Sequence, residues 1–199
     1  MEDSCYTLSL VTAPVGEPVT LADAKAQLAI DVDDYDGLLK GLIAAARRHV
    51  ETVTGRALLT QTWDAKFEEF PEDDDGLWLP KAPLQSVTSV SYVDANGTTQ
   101  TWSSATYTVD APVGPHAQRG RVYPNYGLLY PTTQDIPNAI TVRFVAGYGT
   151  TAASVPEELR LALVLLVGHW FANREAVVSE MREPLPMGVE ALLWPYKVF

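Results

Sequence analysis

The stretch that decides the fold runs from Leu38 to Arg56 and reads LLKGLIAAARRHVETVTGR. Its apolar residues recur every three or four positions, which is the spacing of one face of an α-helix. They are Leu39, Leu42, Ile43, Ala46, Val50 and Val53. Gly55 follows at the position where a residue in the left-handed conformation commonly ends a helix. The stretch therefore predicts an amphipathic helix that packs on a core and stops at Gly55.

Three arginines accompany this helix, namely Arg47, Arg48 and Arg56. They can form a small basic patch. They are better explained as solvent-facing side chains, because cations near the C-terminus of a helix complement its dipole.

The residues before this helix predict an extended segment and a shorter helix. Residues 1–19 alternate apolar and polar positions and are then interrupted by prolines and a glycine. Thr20-Leu21-Ala22-Asp23 resembles a capping box, which marks the start of a helix. Asp31 to Asp36 predicts an acidic linker that also supplies the N-terminal cap of the next helix.

From Leu58 to about Thr150 the hydrophobic period changes to two, which indicates β-strands. Thr60 to Phe67 and Ser86 to Val93 are the clearest of them. Asn96-Gly97 lies between two strand patterns and predicts a hairpin turn. Residues 110–138 are rich in proline and glycine and predict loop.

Helix returns at Ser154-Val155-Pro156-Glu157, which resembles a second capping box with proline in the first turn. The predicted helix runs to about Arg174 and is apolar nearly all round. Such a helix must be buried on most sides, in its own core or against a neighbour. Residues 175–186 predict a connector, and a short amphipathic helix follows it.

These elements predict an α+β fold, a small helical bundle that carries a β-rich insertion with a hairpin. The bundle comprises an N-terminal helix pair and C-terminal helices. We assign residues 1–57 and 151–199 to the helical core and residues 58–150 to the insertion. Residues 175–199 form a tether and a C-terminal docking helix.

Composition restricts the function. With 47% hydrophobic residues, the chain of 199 residues can bury a core. Its net charge of -11 argues against a protein that grips nucleic acid through phosphates. Such acidity serves solubility, or it lets a protein surround DNA without holding it. The lone Cys5 excludes an internal disulfide, and no signal-like or membrane-spanning stretch is present. The pattern predicts a soluble protein made in a reducing cytoplasm, without a membrane partner.

The sequence offers no candidate catalytic, cofactor-binding or metal-binding residue, so we expect no enzyme and no cofactor. His49, His116 and His169 belong to no triad motif. Residues Glu72 to Asp75 offer oxygens to Ca²⁺ but lack the spacing and central glycine of an EF-hand loop. They are better explained as a solvated acidic turn.

The C-terminus concentrates large apolar groups beyond the connector, although free termini are usually polar and frayed. These groups are Leu192, Leu193, Trp194, Tyr196, Val198 and Phe199. An apolar terminal helix on a tether predicts docking into a groove. The groove is either its own domain's or a partner's.

The order of these pieces resembles the head–tail connector, or adaptor, proteins of long-tailed phages, prophages and gene transfer agents. The resemblance covers most of the chain. It rests on Val19 to Lys25, Leu38 to Trp63, Leu79 to Val87, Phe144 to Glu157 and Gly188 to Tyr196.

The resemblance implies a ring, dodecameric in the mature particle, beneath the portal protein at the capsid vertex. Such a ring closes the DNA-filled head and is the platform for a stopper or tail component. It lies in the neck of the particle, is assembled in the host cytoplasm, and lets DNA pass its lumen without specific binding. The partner of the β-rich insertion stays open between a neighbouring subunit, the capsid and a stopper.

By this resemblance the portal-docking residues are Val189, Leu192, Leu193, Trp194, Tyr196 and Phe199. The candidates for contact between subunits are Leu163, Leu166, Trp170, Arg47 and Arg48.

Three other functions compete with the connector. One is a β-rich carbohydrate-binding module that stacks sugars on Trp63, Trp78 and Trp102. Another is a different structural protein of the neck or tail. The third is a hydrolase that uses the acidic cluster Glu72 to Asp75.

Overall fold

The computed structural model describes residues 6–71, 76–173 and 187–198. These residues form four α-helices and two antiparallel sheets of eight strands in total. The helices are α1 (Leu21–Leu28), α2 (Asp36–Thr54), α3 (Glu157–Ala172) and α4 (Met187–Leu193). Single 3-10 turns cover Ala152–Ser154 and Trp194–Tyr196. The predicted α+β class is confirmed.

The strands are β1 (Tyr6–Thr12), β2 (Gln61–Phe67), β3 (Leu77–Trp78), β4 (Leu84–Val93), β5 (Thr99–Trp102), β6 (Tyr107–Asp110), β7 (Arg121–Pro124) and β8 (Ile140–Ala146). The larger sheet has the order β1-β2-β8-β4-β5, and the smaller one has the order β3-β7-β6.

The chain divides into two compact units. The β unit comprises Met1–Ala13 and Thr60–Gly147, and the helical unit comprises Pro14–Leu59 and Tyr148–Phe199. The extended N-terminal segment forms β1, which pairs with β2 and so belongs to the β unit. The domain boundaries at residues 57/58 and 150/151 stay a prediction.

Local signals set the start of α1. The Asp23 main-chain nitrogen donates to Thr20 Oγ1 at 3.1 Å, and the Thr20 nitrogen donates to Asp23 Oδ2 at 3.0 Å. The predicted capping box is therefore confirmed. The helix ends at Ala29, which has a φ of 53°.

The acidic linker is held to α1 by a lysine. Lys25 Nζ donates to Asp33 at 2.7 Å and to Asp36 at 2.9 Å. The residue at the N-cap of α2 is Tyr35, which makes no side-chain cap hydrogen bond. The linker therefore contributes the acidic first-turn residue Asp36 near the positive end of the helix dipole, and not the capping hydrogen bond that we expected.

The helix α2 follows the sequence pattern closely. Its stripe buries Leu39, Ile43, Ala46 and Val50. Gly55 ends the helix with a φ of 70°, as predicted. Glycine adopts this left-handed conformation without the steric penalty that a Cβ atom brings.

The predicted capping box before α3 does not form. Pro156 occupies the N-cap and makes no side-chain cap hydrogen bond. The Ser154 hydroxyl lies 3.1 Å from the hydroxyl of Thr151 instead. The cause is the 3-10 turn over Ala152–Ser154, which is followed by the extended residues Val155 and Pro156. These place Ser154 outside the helix.

One hydrophobic core fills the helical unit, and it draws residues from all four helices. Its fully buried members include Ala24, Leu39, Val50, Leu159, Leu163, Leu166 and Leu193. Burying one leucine side chain stabilises a fold by about 2 kcal/mol relative to leaving it in water. The apolar helix α3 is therefore explained largely by packing within its own chain.

In the β unit, β2 and β8 pair in register from Gln61 opposite Ala146 to Phe67 opposite Ile140. The predicted Asn-Gly hairpin joins β4 to β5. Asp94 Oδ1 accepts from the main-chain nitrogens of Asn96 at 2.9 Å and Thr98 at 3.0 Å. Local hydrogen bonds of this type are why aspartate favours turns.

Candidate assembly site

The C-terminal segment from Met187 to Val198 packs on its own unit. Val189, Leu193 and Tyr196 are buried in the core that α2 and α3 share. The Val198 main-chain nitrogen donates to the carbonyl oxygen of Thr54 at 3.0 Å. These residues therefore dock in a groove of their own chain. This is one of the two possibilities that the sequence left open.

A buried arginine holds this segment in place. Arg56 is completely buried, and its Nε donates to the carbonyl oxygen of Tyr196. Its guanidinium carbon lies 5.8 Å from the ring centre of Tyr196 and 6.0 Å from that of Tyr148. The Tyr196 hydroxyl donates in turn to Glu158 Oε2 at 2.8 Å. The end of α2, the first turn of α3 and the C-terminal segment thus share one polar cluster, which we call the Arg56 cluster.

Burial dominates the electrostatics of the Arg56 cluster. Desolvation lowers the pKa of the Arg56 guanidinium, because burial penalises the charged form. Burial also raises the pKa of Tyr148, and it raises that of Tyr196 strongly, with a further contribution from the hydrogen bond to Glu158. Both phenols therefore stay neutral across the physiological range. A cation above neutral aromatic rings is a favourable arrangement.

The exposed part of the C-terminal segment is an amphipathic knob. The Trp194 side chain is 60% exposed, and Lys197 Nζ lies 4.8 Å from its ring centre. Leu192, two residues earlier, is half-buried against the helical core. Of the six predicted portal-docking residues, Val189, Leu193 and Tyr196 are core, and Phe199 lies outside the described residues. The predicted tether at residues 175–186 and the acidic cluster Glu72 to Asp75 lie outside them too.

The two arginine candidates for subunit contact differ. Arg47 Nε donates to Glu17 at 2.8 Å, and its Nη1 donates to Glu51 at 3.0 Å. Burial opposes its charge, but these two carboxylates outweigh burial and raise the pKa of Arg47. Glu51 Oε1 also accepts from the Leu58 nitrogen at 2.9 Å. Arg47 is thus engaged within the chain, whereas Arg48 is exposed.

The apolar candidates for subunit contact also differ. Leu163 and Leu166 are buried in the helical core. Trp170 is half-buried and lies edge-to-face with His49 at 5.9 Å. Contact between subunits through these residues stays a prediction.

Sequence reasoning missed the role of Arg56. It grouped this residue with the arginines that face solvent, whereas the structure buries it completely. The signal was its position between the helix-ending Gly55 and Ala57-Leu58-Leu59, which returns the chain to the core. An arginine next to apolar residues that lead the chain back into the core needs internal partners, since a buried charge without them is costly.

The described ranges contain no group of three or more histidine, cysteine or acidic side chains that could hold a metal ion. No helix in the part of the chain that the structure describes is long and apolar enough to cross a membrane.

The three tryptophans proposed for sugar stacking do not share one environment. Trp102 is buried in an aromatic cluster with Phe70, Tyr107 and Tyr130. Trp78 lies in the smaller sheet beneath the Arg121 guanidinium, at 4.9 Å. Trp63 lies in the larger sheet, with Lys81 Nζ at 5.5 Å from its ring centre. This arrangement does not favour the carbohydrate-binding alternative.

The chain thus combines a helical unit with a β unit, and its C-terminal segment exposes the Trp194 knob. Residues 18–113 match the family described as phage gp6-like head-tail connector protein. This part of the chain is thus similar to the connector family that the sequence resemblance named. No curated protein matches the chain.

Solved structures with the same fold come from gene transfer agent particles. One chain, from the virion of a native particle, is 23% identical, with a TM-score of 0.77. Another, from the neck of an empty particle computed with C6 symmetry, is 24% identical, with a TM-score of 0.78. A third, from the neck of a native particle computed with C12 symmetry, is 23% identical, with a TM-score of 0.74. Each match covers 97% of this chain and 96% of the other.

Proposed function

We propose that this protein is a head–tail connector that assembles as a ring in the neck of a phage or gene transfer agent particle. The observation that carries this proposal is the likeness of fold over 97% of the chain to chains of gene transfer agent necks. The match of residues 18–113 to the connector family supports the same role. The role is structural, and the proposal includes no catalytic step.

The neck computed with C12 symmetry suggests twelve copies for the ring of this protein. A ring closes when each subunit presents one surface to the subunit before it and a different surface to the subunit after it. A net charge of -11 on every copy suits a lumen through which DNA passes without being held. We propose that the ring closes the filled head and provides the platform for a stopper or tail component.

We propose that the portal is contacted by the exposed knob, Trp194 with Lys197 and Leu192. A large aromatic side chain that enters a partner's pocket is a frequent source of binding energy. Val189, Leu193 and Tyr196 act indirectly, since they hold the segment on the helical unit. Avidity from many copies allows each knob to bind weakly and the ring to bind tightly.

The test is to mix the purified protein with portal rings from the same genome and to image the mixture by negative-stain electron microscopy. Light-scattering chromatography of the protein alone gives its resting oligomeric state. We expect an added ring on one end of the portal, even from a protein that is monomeric alone. Portals that stay unaltered at saturating protein concentration would contradict the connector role and favour another neck component.

A further inference from the structure

An apolar turn projects from the β unit immediately after β7. It comprises Tyr126, Gly127, Leu128 and Leu129, and we call it the apolar finger. Tyr126 is fully exposed, Leu129 is 89% exposed and Leu128 is about half exposed. Exposed large apolar side chains are ordinary one at a time, whereas a contiguous group of them marks an interaction surface.

Hydrogen bonds fix the first end of the apolar finger. The Asn125 main-chain nitrogen donates to Thr106 O at 3.0 Å, and Asn125 Nδ2 donates to Ala105 O at 2.9 Å. The Thr108 hydroxyl donates to Asn125 Oδ1 at 2.7 Å. The Leu128 nitrogen then donates to Asn125 O at 2.9 Å and closes the turn over Gly127, whose φ is 78°. The Asn125 side chain thus uses both its amide nitrogen and its amide oxygen to hold the start of this turn.

Aromatic packing fixes the other end. The Tyr130 ring stacks on Phe70 with 4.9 Å between ring centres, and it lies 5.6 Å from Trp102 of β5. The main-chain nitrogen of Gln134 donates to Val93 O, at the end of β4, at 3.0 Å. The finger is therefore held at both ends on the β5 side of the larger sheet. A surface that is ordered before it binds loses little conformational entropy on binding.

The opposite edge of the same sheet carries a second apolar surface. The strand β1 ends the sheet order, and six of its seven residues are exposed. They include Tyr6, Leu10 and Val11, and the last two are 46% and 44% exposed. An exposed apolar edge strand pairs readily with another chain unless it is covered. Four strand spacings of about 4.8 Å put β1 about 19 Å from β5.

Both segments lack charged residues of their own. Residues 122–134 contain the finger and no charged side chain, and residues 4–16 contain β1 and none either. The chain as a whole has a net charge of -11, so its copies repel one another over most of their surface. Contact between these two segments therefore brings no charged residue of either segment against a like charge.

We infer that the apolar finger of one copy packs against the β1 edge of the next copy. The inference rests on the proposed ring and deepens it, because it assigns the contact that repeats around the ring. Two different surfaces on opposite edges of one sheet form a head-to-tail interface, which is the type that a cyclic ring requires. A second copy of this chain supplies the surface that is complementary to the finger.

The first experiment places a photo-crosslinking amino acid at Tyr126 of the full chain. The labelled protein is irradiated alone at high concentration and again on portal rings. We expect a covalent product of twice the 21.7 kDa chain mass, joined to a peptide that contains residues 6–12. A product joined to the portal or to another part of this chain, or no product in either setting, overturns the inference.

The second experiment compares variants. Tyr126→Ser combined with Leu129→Ser keeps the turn and removes the apolar anchors. We expect self-association, or ring formation on the portal, to need at least about tenfold more protein, because losing even one central apolar anchor has an effect of this size. Val113→Ser is the control, since Val113 is 91% exposed in the same unit but lies outside the finger. Wild-type assembly by the double variant, with the melting temperature of wild type, overturns the inference.

The two proposals fail in different ways. If rings form on the portal but the Tyr126 crosslink does not reach a second copy, the connector role stands and the finger contact is wrong. If the portal stays bare while the crosslink still joins two copies through residues 6–12, the finger contact stands and the connector role is wrong.

Discussion

Arg56 and Tyr196 lie 140 residues apart in the chain, yet the Arg56 guanidinium donates a hydrogen bond to the main-chain carbonyl oxygen of Tyr196. The arginine follows the glycine that ends α2, and the tyrosine lies in the last turn of the described C-terminal segment. One buried side chain thus links the most regular helix of the unit to the segment that carries the exposed Trp194. The position of the knob therefore depends on the integrity of the Arg56 cluster.

We expect Arg56→Met to destabilise the helical unit by about 2 kcal/mol. The substitution keeps most of the side-chain volume but leaves a buried carbonyl without its donor and removes the cation from the two tyrosine rings. Arg56→Lys should recover only part of the loss, because an ammonium group lacks the planar fork of the guanidinium. Urea unfolding of the full chain measures the change.

The matched control is Arg48→Met, which lies eight residues earlier on an exposed face. Exposed substitutions of this type usually change stability by less than about 0.5 kcal/mol. Equal stability of the Arg56 and Arg48 variants would mean that the Arg56 cluster does not hold the C-terminal segment.

The raised pKa of Tyr196 predicts a loss of stability at high pH. An unfolded tyrosine ionises near pH 10, whereas burial and the hydrogen bond to Glu158 hold the folded Tyr196 protonated beyond that point. Below pH 10 the proton is bound in both states, and the contribution is fully present. Above pH 10 the unfolded state loses the proton first, so the free energy of unfolding falls as pH rises.

The measurement is urea unfolding between pH 8 and pH 11 for wild type and Tyr196→Phe. We expect the variant to lose less stability across this window, although it is less stable at pH 8 because the bond to Glu158 is gone. Some slope should persist, since burial also raises the pKa of Tyr148 and Tyr107. Parallel curves for the two proteins would show that Tyr196 does not contribute to the slope.

Much of the fold could be predicted because the deciding signals are local. The capping box at Thr20, the glycine after α2 and the Asn-Gly turn each act through neighbours within four residues, and all three are present. The capping box predicted at Ser154 does not form, and the reason is equally local. Val155 and Pro156 are extended, so the serine is outside the helix that its pattern resembles.

The candidate site was harder to predict because its contacts are distant in sequence. Nothing near Arg56 specifies that its partners are Tyr148 and Tyr196. The apolar C-terminal pattern was equally consistent with the chain's own groove and with a partner's, because burial stabilises an apolar helix in both. Only the packed structure separates the core residues Val189 and Leu193 from the exposed Trp194.

The ion-paired Arg47 and its exposed neighbour Arg48 should respond differently to substitution. Arg47→Met removes a cation that two carboxylates contact, so Glu17 and the mostly buried Glu51 lose its compensating charge. We expect a loss of about 2 kcal/mol in unfolding free energy, measured by urea. The control Glu17→Gln combined with Arg47→Met should recover part of the loss. A loss of ring assembly without a loss of stability would show instead that Arg47 contacts a neighbouring subunit.

Gly120 is closely surrounded in the β unit, so we expect an added side chain at this position to clash with its neighbours. A Cβ atom at this position would lie 2.3 Å from Leu84 Cδ2 and 2.9 Å from the Asp110 carbonyl oxygen. Gly120→Ala should therefore lower the melting temperature by several degrees, which corresponds to about 1–3 kcal/mol of overpacking. Gly41→Ala is the contrasting control, since its Cβ meets nothing within 4 Å in the middle of α2. That substitution should stabilise the chain by about 0.5–1 kcal/mol.

Two adjacent residues of the C-terminal segment separate binding from folding. Trp194 is exposed and Leu193 is fully buried, although both belong to the apolar run from which portal docking was predicted. Trp194→Ala should leave the melting temperature within about a degree of wild type and weaken binding to portal rings at least about tenfold, because it removes an aromatic anchor without touching the core.

Leu193→Ala should do the reverse and lower the free energy of unfolding by about 3 kcal/mol, since it leaves a cavity in the helical core. Its portal binding, measured well below its melting temperature, should weaken less than that of Trp194→Ala, because Trp194 itself is retained. The two readouts are thermal unfolding and co-sedimentation with portal rings at several protein concentrations. Full portal binding by the Trp194 variant would show that the portal contact lies elsewhere than the knob. A lower melting temperature of this variant would show that the exposed Trp194 ring stabilises the helical unit.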